Sequence, residues 1–460
     1  MSSSVDTVDG AYGHRAILAI AAPMIISSVT VPLVGIVGTA VLGHLEDDRY
    51  LAGVAAGTQI FSVLFVGLNC LRMGTTGLTA QAHGAGDGAA LRRSLGQAAI
   101  MALALGLLLV AAQLPLRELS LVVLGPAPDV AAWTRRYFDI RIFSAPMALF
   151  NLVAIGWLLG RQDGRGPLLI TLAINLTNIA LDLWFVLGLG LGVRGVAAGA
   201  LIAEGVGTVV SVLLLRRSLR TLPGHWEPAP LRRASAYRPL FAINGNLFVR
   251  TLALMFTFTF MTAQGARMGS TVLAANALLL NFQWLLSYAL DGIANAAEAL
   301  VGRAIGARDR DGLLLAVRRT LGWSLAFAGA FFACYLAAGP QLVALLTDLP
   351  GVRAAALEYL PWLVVAPLIS VWSFFYDGVY VGATRSREMR VVMTGAAVLV
   401  FLPAWYLARE LGNHALWLAF TLFMAARGLA MHVWFRRLVA SATLVPASAP
   451  LPPRPSGEPA

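Results

Sequence analysis

Apolar runs of 18 residues or more recur twelve times along this chain, near residues 16–43, 51–82, 94–114, 136–160, 167–190 and 196–215, then 239–263, 272–303, 320–339, 357–384, 391–408 and 412–435. About 20 apolar residues in a helix cross the roughly 30 Å hydrocarbon core of a bilayer. Inside lipid every backbone amide must be satisfied within the protein, which leaves helices or closed barrels. Runs of this length read as helices. A chain that is 58% hydrophobic and 12% charged fits no soluble globular class. The first run is too long and too interrupted by proline for a cleaved signal peptide. The expected fold is an all-α polytopic membrane protein with twelve transmembrane helices.

The same phrase is written twice. "AQAHGAGDGAALRRSL" contains Gly84-Ala85-x-Asp87, and "GRAIGARDRDGLL" contains Gly306-Ala307-x-Asp309, 222 residues later. The offset also pairs Leu18 with Leu240, Gly43 with Gly265, Tyr137 with Tyr359, Gly156 with Gly378 and Gly160 with Gly382. One register held across most of each half marks an internal duplication, a recurrent transporter design. Six crossings per copy is an even number, so both copies enter from the same side and their pseudo-twofold axis runs along the membrane normal. The expected organisation is a cytoplasmic N-terminal segment (1–15), an N-lobe (16–215), a cytoplasmic linker rich in Arg and Pro (216–237), a C-lobe (238–437) and a Pro-rich disordered tail (438–460). Gly84 and Gly306 are expected to end their helices, so the phrase marks equivalent hinges. A phosphate-binding loop would need a neighbouring strand and a lysine.

The sequence contains no lysine, so orientation rests on 34 arginines. Of these, 22 fall on the side of the termini and linker, 8 on the other side, and four within spans: Arg72, Arg141, Arg250 and Arg427. The positive-inside rule then places both termini in the cytoplasm. Topology accounts for the net charge of +11, and no basic stripe interleaved with aromatics suggests nucleic-acid binding. Cys70 and Cys334 both lie in apolar runs, so neither a disulfide framework nor a zinc site is available. No nucleophile–base pair, metal-ligand cluster or cofactor motif suggests an enzyme.

Ionisable residues inside membrane spans are costly and so are candidates for function. On the fifth span Thr171, Asn175, Asn178 and Asp182 follow one helical face. A carboxylate there can take up a proton or, with asparagine oxygens, coordinate Na⁺ at Asn178 and Asp182; the alternative is a helix–helix hydrogen-bonding stripe. On the eighth span Asp291, Asn295 and Glu298 share a face, and Asp377 lies near the inner end of the tenth. Burial disfavours the ionised form of an acid, which suits proton exchange; the alternative is structural ion pairing with Arg72 or Arg250. At offset 222 Asp182 aligns with Ala404, Asp291 with Asn69, Glu298 with Thr76 and Asp377 with Ile155. The scaffold repeats but the membrane acids do not, as in a symmetric frame holding an asymmetric site. Phe282, Trp284, Tyr288, Trp372, Phe374, Phe375, Tyr376 and Tyr380 either pack against neighbouring helices or line a cavity for flat or cationic substrates.

Four stretches, "LRMGTTGLTAQAHGAGD", "YALDGIANAAEALVGRAIGARD", "DGVYVGATRSREMR" and "LGNHALWLAFTLF", together resemble the DinF-type branch of the multidrug and toxic compound extrusion (MATE) transporters, over about residues 15–437. The resemblance implies two pseudo-symmetric six-helix lobes and secondary active efflux by alternating access, driven by an H⁺ or Na⁺ gradient. Asn178 and Asp182 match the family's polar pair on the fifth helix, and Asp377 its tenth-helix acid. The first span departs: "IVGTAVLG" puts Gly38 where relatives carry a coupling aspartate, and "INGN" (Ile243–Asn246) replaces a more charged pattern on the seventh. Coupling would then rest on Asp182, move to the C-lobe acids or be impaired. The implied partners are a small amphipathic or cationic substrate, H⁺ or Na⁺, and the lipid bilayer. The implied setting is the inner membrane of a bacterium, as a monomer without cofactors. The alternatives are a flippase of lipid-linked precursors, whose cleft should collect several arginines, and a regulatory membrane protein that has lost transport.

Overall fold

A computed structural model of the protein describes residues 10–42 and 48–445. Among these, twelve helices are long and apolar enough to cross a membrane. In the first half they are α1 (His14–Leu42), α2 (Asp48–Leu68 and Cys70–Gly84, broken at Asn69), α3 (Gly88–Ala111), α4 (Pro128–Gly160), α5 (Arg165–Gly188) and α6 (Gly192–Arg220). In the second half they are α7 (Arg238–Arg267), α8 (Ser270–Gly306), α9 (Arg310–Leu346), α10 (Pro350–Gly382), α11 (Ser386–Leu411) and α12 (Asn413–Ala440). The linker carries a short helix, Pro228–Arg232, and it is held by Arg92, whose guanidinium donates to the carbonyls of Pro223 (2.7 Å), Leu219 (3.1 Å) and Leu222 (3.1 Å). The fifth helix of each half contains a π turn, Leu183–Gly188 in α5 and Ala396–Phe401 in α11.

The last helix runs past residue 438 to Ala440, and Leu444 and Val445 are buried against the C-lobe core. The chain is therefore ordered beyond the point where a disordered tail was expected to begin, because these two apolar residues find a core to join. Residues 446–460 lie outside the described residues, as does Gly43 of the repeated pairs.

The repeated phrase is a helix-stop and helix-start device. Asp87 N donates to the Ala82 carbonyl and Asp309 N to that of Ala304, closing the last turns of α2 and α8. Asp87 then caps α3 by accepting from Ala90 N (2.8 Å), and Asp309 caps α9 by accepting from Gly312 N (2.8 Å). The left-handed residue is the variable one, Gly86 (φ 67°) or Arg308 (φ 55°), and not Gly84 or Gly306. α4 and α10 end the same way at Gln162 (φ 65°) and Thr384 (φ 55°).

Gly84 and Gly306 serve the contact between lobes. A Cβ on Gly84 would stand 2.0 Å from the Arg303 carbonyl oxygen, and one on Gly306 would stand 1.9 Å from that of Gln81. Arg303 and Gln81 are themselves related by the 222-residue offset, so α2 and α8 cross on the pseudo-twofold axis, with Ala80 against Gly302 at its centre. Inside each lobe, Gly156 abuts the Arg72 carbonyl of α2 and Gly378 abuts the Ala294 carbonyl of α8, each with room for no Cβ. Close approach of small residues is how helices gain packing energy where lipid offers no hydrophobic drive. The repeated glycines are thus the backbone-to-backbone contacts of a duplicated bundle.

Candidate functional site

The C-lobe gathers its polar groups from α7, α8, α10 and α12. Asp377 on α10 is buried, and its Oδ2 accepts from Arg250 on α7 and from Arg427 Nη2 on α12 (2.9 Å). Asp377 Oδ1 and both arginine Nε atoms have no partner. Two arginines on one carboxylate leave the cluster with a net positive charge. Removing one member of such a buried set strands its partners, which costs several kcal/mol.

A second ion pair joins the lobes. Arg72 of α2 donates from Nη1 to Asn295 Oδ1 (2.9 Å) and to Glu298 Oε2 (3.4 Å), both on α8. Its Nε is held by Asn69 Oδ1 (3.2 Å), the residue at the break in α2. The Arg72 and Arg250 pairings considered from sequence are therefore present. Asp291, one turn before Asn295, is exposed and makes no hydrogen bond or ion pair among the described residues. A bare carboxylate at this depth needs water in the cleft between the lobes.

In the N-lobe, Asp182 is the last residue of α5 before its π turn. It is buried, and its Oδ1 has no hydrogen-bond partner. α6 admits the side chain because Gly199 lies opposite: a Cβ there would stand 2.9 Å from Oδ1. The position a Cβ would take on Gly38 is 3.9 Å from Asp182 Oδ2. α1 thus presents its glycine directly to this carboxylate. Asn178 is buried with a free Nδ2, and Asn175 donates to Thr30 Oγ1 of α1 (2.8 Å). The fifth-helix face therefore meets α1 and α6.

Beside it lies a network that sequence reasoning passed over. Arg141 sits where α4 loosens into a 3₁₀ turn (Ile142–Ser144), and its Nη2 is 3.6 Å from Glu204 Oε1 on α6. Asn151 Nδ2 donates to Glu204 Oε2 (2.9 Å), and Ser211 Oγ donates to Asn151 Oδ1 (3.0 Å). Arg141 Nη1 is buried without a partner, and the guanidinium faces the rings of Phe61 and Phe65. Glu204 was legible as the one acid in the sixth run. Arg427 was legible as a span arginine. Neither had a visible partner in the sequence, because the partners come from other helices.

Among the aromatics, Phe282, Phe375, Tyr376 and Tyr380 are buried, and Trp284 stacks on Phe258 of α7. Among the described residues no group of three His, Cys, Asp or Glu side chains can hold a metal ion.

The MatE family model matches residues 23–184 and 247–407, one block in each half. The chain is 42% identical over 427 residues to the DNA damage-inducible protein F of Escherichia coli, covering 92% of each chain. It is 25% identical to a probable multidrug resistance protein NorM of Rhizobium meliloti, over 94% of this chain and 95% of that one. Its fold matches that of a MOP superfamily transporter from Pyrococcus furiosus with a TM-score of 0.85, at 18% identity over 95% of this chain and 98% of that one. A multidrug resistance MATE family transporter in an outward-facing conformation matches with a TM-score of 0.83, at 18% identity over 93% of this chain and 96% of the other. With its duplicated lobes and acids buried between spanning helices, this chain belongs to the MatE family of multidrug and toxic compound efflux transporters, multi-pass membrane proteins and not enzymes.

Proposed function

We propose that the chain is an H⁺-coupled antiporter that exports amphipathic, cationic compounds by alternating access, with Asp182 as the coupling carboxylate. The observation that carries this is a contrast between the lobes. In the C-lobe the buried acids Asp377 and Glu298 are each paired with the protein's own arginines, whereas Asp182 is buried and takes part in no ion pair among the described residues. A carboxylate that no cation of the protein neutralises is the one able to exchange a proton during the cycle. Na⁺ is the weaker assignment, since its affinity follows the number of charged ligands and Gly38 supplies none. Arg141 and Glu204 supply an adjacent charge pair that responds to the state of Asp182.

In this reading Asp291 receives the positive end of the substrate from the cleft, and Asn175, Asn178 and Asn295 are its polar neighbours. The Arg72–Glu298 bridge and the Gly84–Gly306 crossing both seal the end bearing the linker. With both termini in the cytoplasm, that arrangement corresponds to an outward-facing state. The protein works as a monomer in the cytoplasmic membrane. Three span arginines do collect at the C-lobe, as a flippase of lipid-linked precursors would require, but Asp377 and Glu298 occupy them.

The test is export into inside-out vesicles of a fluorescent cation, driven in turn by a pH gradient and a Na⁺ gradient. The expected result is transport with ΔpH alone and its loss in Asp182→Asn. Transport by Asp182→Asn at the native rate across pH removes the assignment.

A further inference from the structure

Where α4 ends, α5 begins and α6 ends, the surface is hollowed into a pocket of about 490 Å³. This lies within the range of sites that hold small molecules. Arg161, Arg165 and Arg217 supply three positive charges around it, with Asp163 as the only acid in its lining. Asp163 Oδ1 is already engaged, accepting from the backbone N–H groups of Arg165 (3.1 Å) and Gly166 (3.0 Å) at the start of α5. Arg161 is held in place. Its Nη1 donates to the Ser218 hydroxyl and carbonyl on α6, and its guanidinium lies 5.2 Å from the centre of the Trp157 ring. Its Nε is buried with no partner. Burial also lowers the Arg161 pKa, with Asp163 opposing. A partly desolvated guanidinium without its own anion is a group prepared to meet one.

The lining also holds Ser218, Thr221 and two leucines. Leu169 lies one turn into α5 beyond Arg165, and Leu214 lies one turn before Ser218 on α6, so both sit deeper toward the membrane than the arginines. Leu169 is 50% exposed. Charge at the rim and leucine beneath it match a headgroup over an acyl chain. The second lobe repeats the arrangement only in part. At offset 222 Ala383 takes the place of Arg161 and Val439 that of Arg217, while Arg387 keeps that of Arg165.

We propose that this pocket is a binding site for the phosphate of an anionic phospholipid, held by Arg161, Arg165 and Arg217, with its acyl chain along Leu169 and Leu214. The Ser218 hydroxyl adds a donor. Basic pockets between spanning helices on the arginine-rich side bind anionic headgroups by this chemistry. The site is separate from the transport residues, and its occupation is read without measuring transport.

The experiment uses the full chain in a neutral detergent, with thermal stability and native mass spectrometry as readouts. Dioleoylphosphatidylglycerol, dioleoylphosphatidylcholine and millimolar inorganic phosphate are added separately. Phosphatidylglycerol is expected to raise the melting temperature and remain bound as one retained lipid, and the other two are not. The Arg165→Gln/Arg217→Gln variant is expected to bind phosphatidylglycerol about tenfold or more weakly. Arg165→Gln alone, at an exposed position, serves if the double variant does not fold. Arg310→Gln, another exposed arginine of the inner surface, should bind as the native chain does. Equal stabilisation by phosphatidylcholine overturns the proposal, as does an unchanged response in the Arg165 variants. Stabilisation by inorganic phosphate alone makes the pocket a site for soluble anions and overturns the lipid assignment. An equal loss in Arg310→Gln reduces the effect to general surface charge.

Discussion

Replacing Gly306 by alanine adds one methyl group where the two lobes meet. Its Cβ would stand 1.9 Å from the Gln81 carbonyl oxygen, and contacts under 3.0 Å are essentially never seen for a Cβ. The opposing atom belongs to a helix backbone and cannot swing aside, so α8 and α2 must part by about 1 Å or more. That movement also pulls on the Gln81 Nε2 bonds to the Gly382 carbonyl (3.0 Å) and the Thr384 hydroxyl (3.2 Å). Overpacking costs about 1–3 kcal/mol. Alanine returns about 1 kcal/mol through helix propensity. The net cost falls on a state in which these helices cross as they do here. A penalty of about 1.4 kcal/mol shifts a two-state population tenfold. Gly322→Ala on α9 is the matched control: that glycine is exposed, and no atom lies within 4 Å of its Cβ position. The control should be neutral or slightly stabilised. Gly306→Ala should melt lower, and its backbone amides at the C-terminal ends of α2 and α8 should exchange faster with deuterium. Equal melting and equal exchange for the two variants would refute the reasoning.

Gly38→Asp should fold, since its Cβ finds 3.9 Å to Asp182 Oδ2 and the change replaces a poor helix former; a second carboxylate there should strengthen the ion dependence of export, and profiles against pH and Na⁺ identical to the native chain's would move the coupling away from the N-lobe. Asp377→Asn leaves Arg250 and Arg427 buried without their anion and should cost about 3–5 kcal/mol, seen as a large drop in thermal stability together with impaired export. Normal stability and transport in that variant would show that the cluster is dispensable. Arg72→Gln removes the bridge from α2 to Glu298 and should increase hydrogen exchange at the C-terminal end of α8, whereas native-like exchange would mean that the bridge does not hold the lobes together. Asn276→Ala deprives Asn413 Nδ2 and Trp417 Nε1 of their shared acceptor and should cost about 1–3 kcal/mol in thermal unfolding, with an unchanged melting temperature counting against it.

Twelve crossings and their division into two copies were already written in the sequence. Hydrophobic length is a property of each segment by itself, and a membrane leaves few other solutions. The glycine pairs at offset 222 were equally plain as a repeat, but that they are backbone-to-backbone contacts appeared only once the helices were packed. The fifth-helix face of Asn175, Asn178 and Asp182 was legible for a similar reason: helical periodicity is local. Partnership was not. Arg427 and Asp377 are 50 residues apart, Arg72 and Glu298 226 apart, and Arg141 and Glu204 meet across three helices' worth of chain. Each carries the same charge and spacing signal as a residue left unpaired. Only the packing of the helices decided that Asp377 and Glu298 would be neutralised from within while Asp182 would not. Electrostatic energy depends on distance through space, which no spacing along the chain encodes.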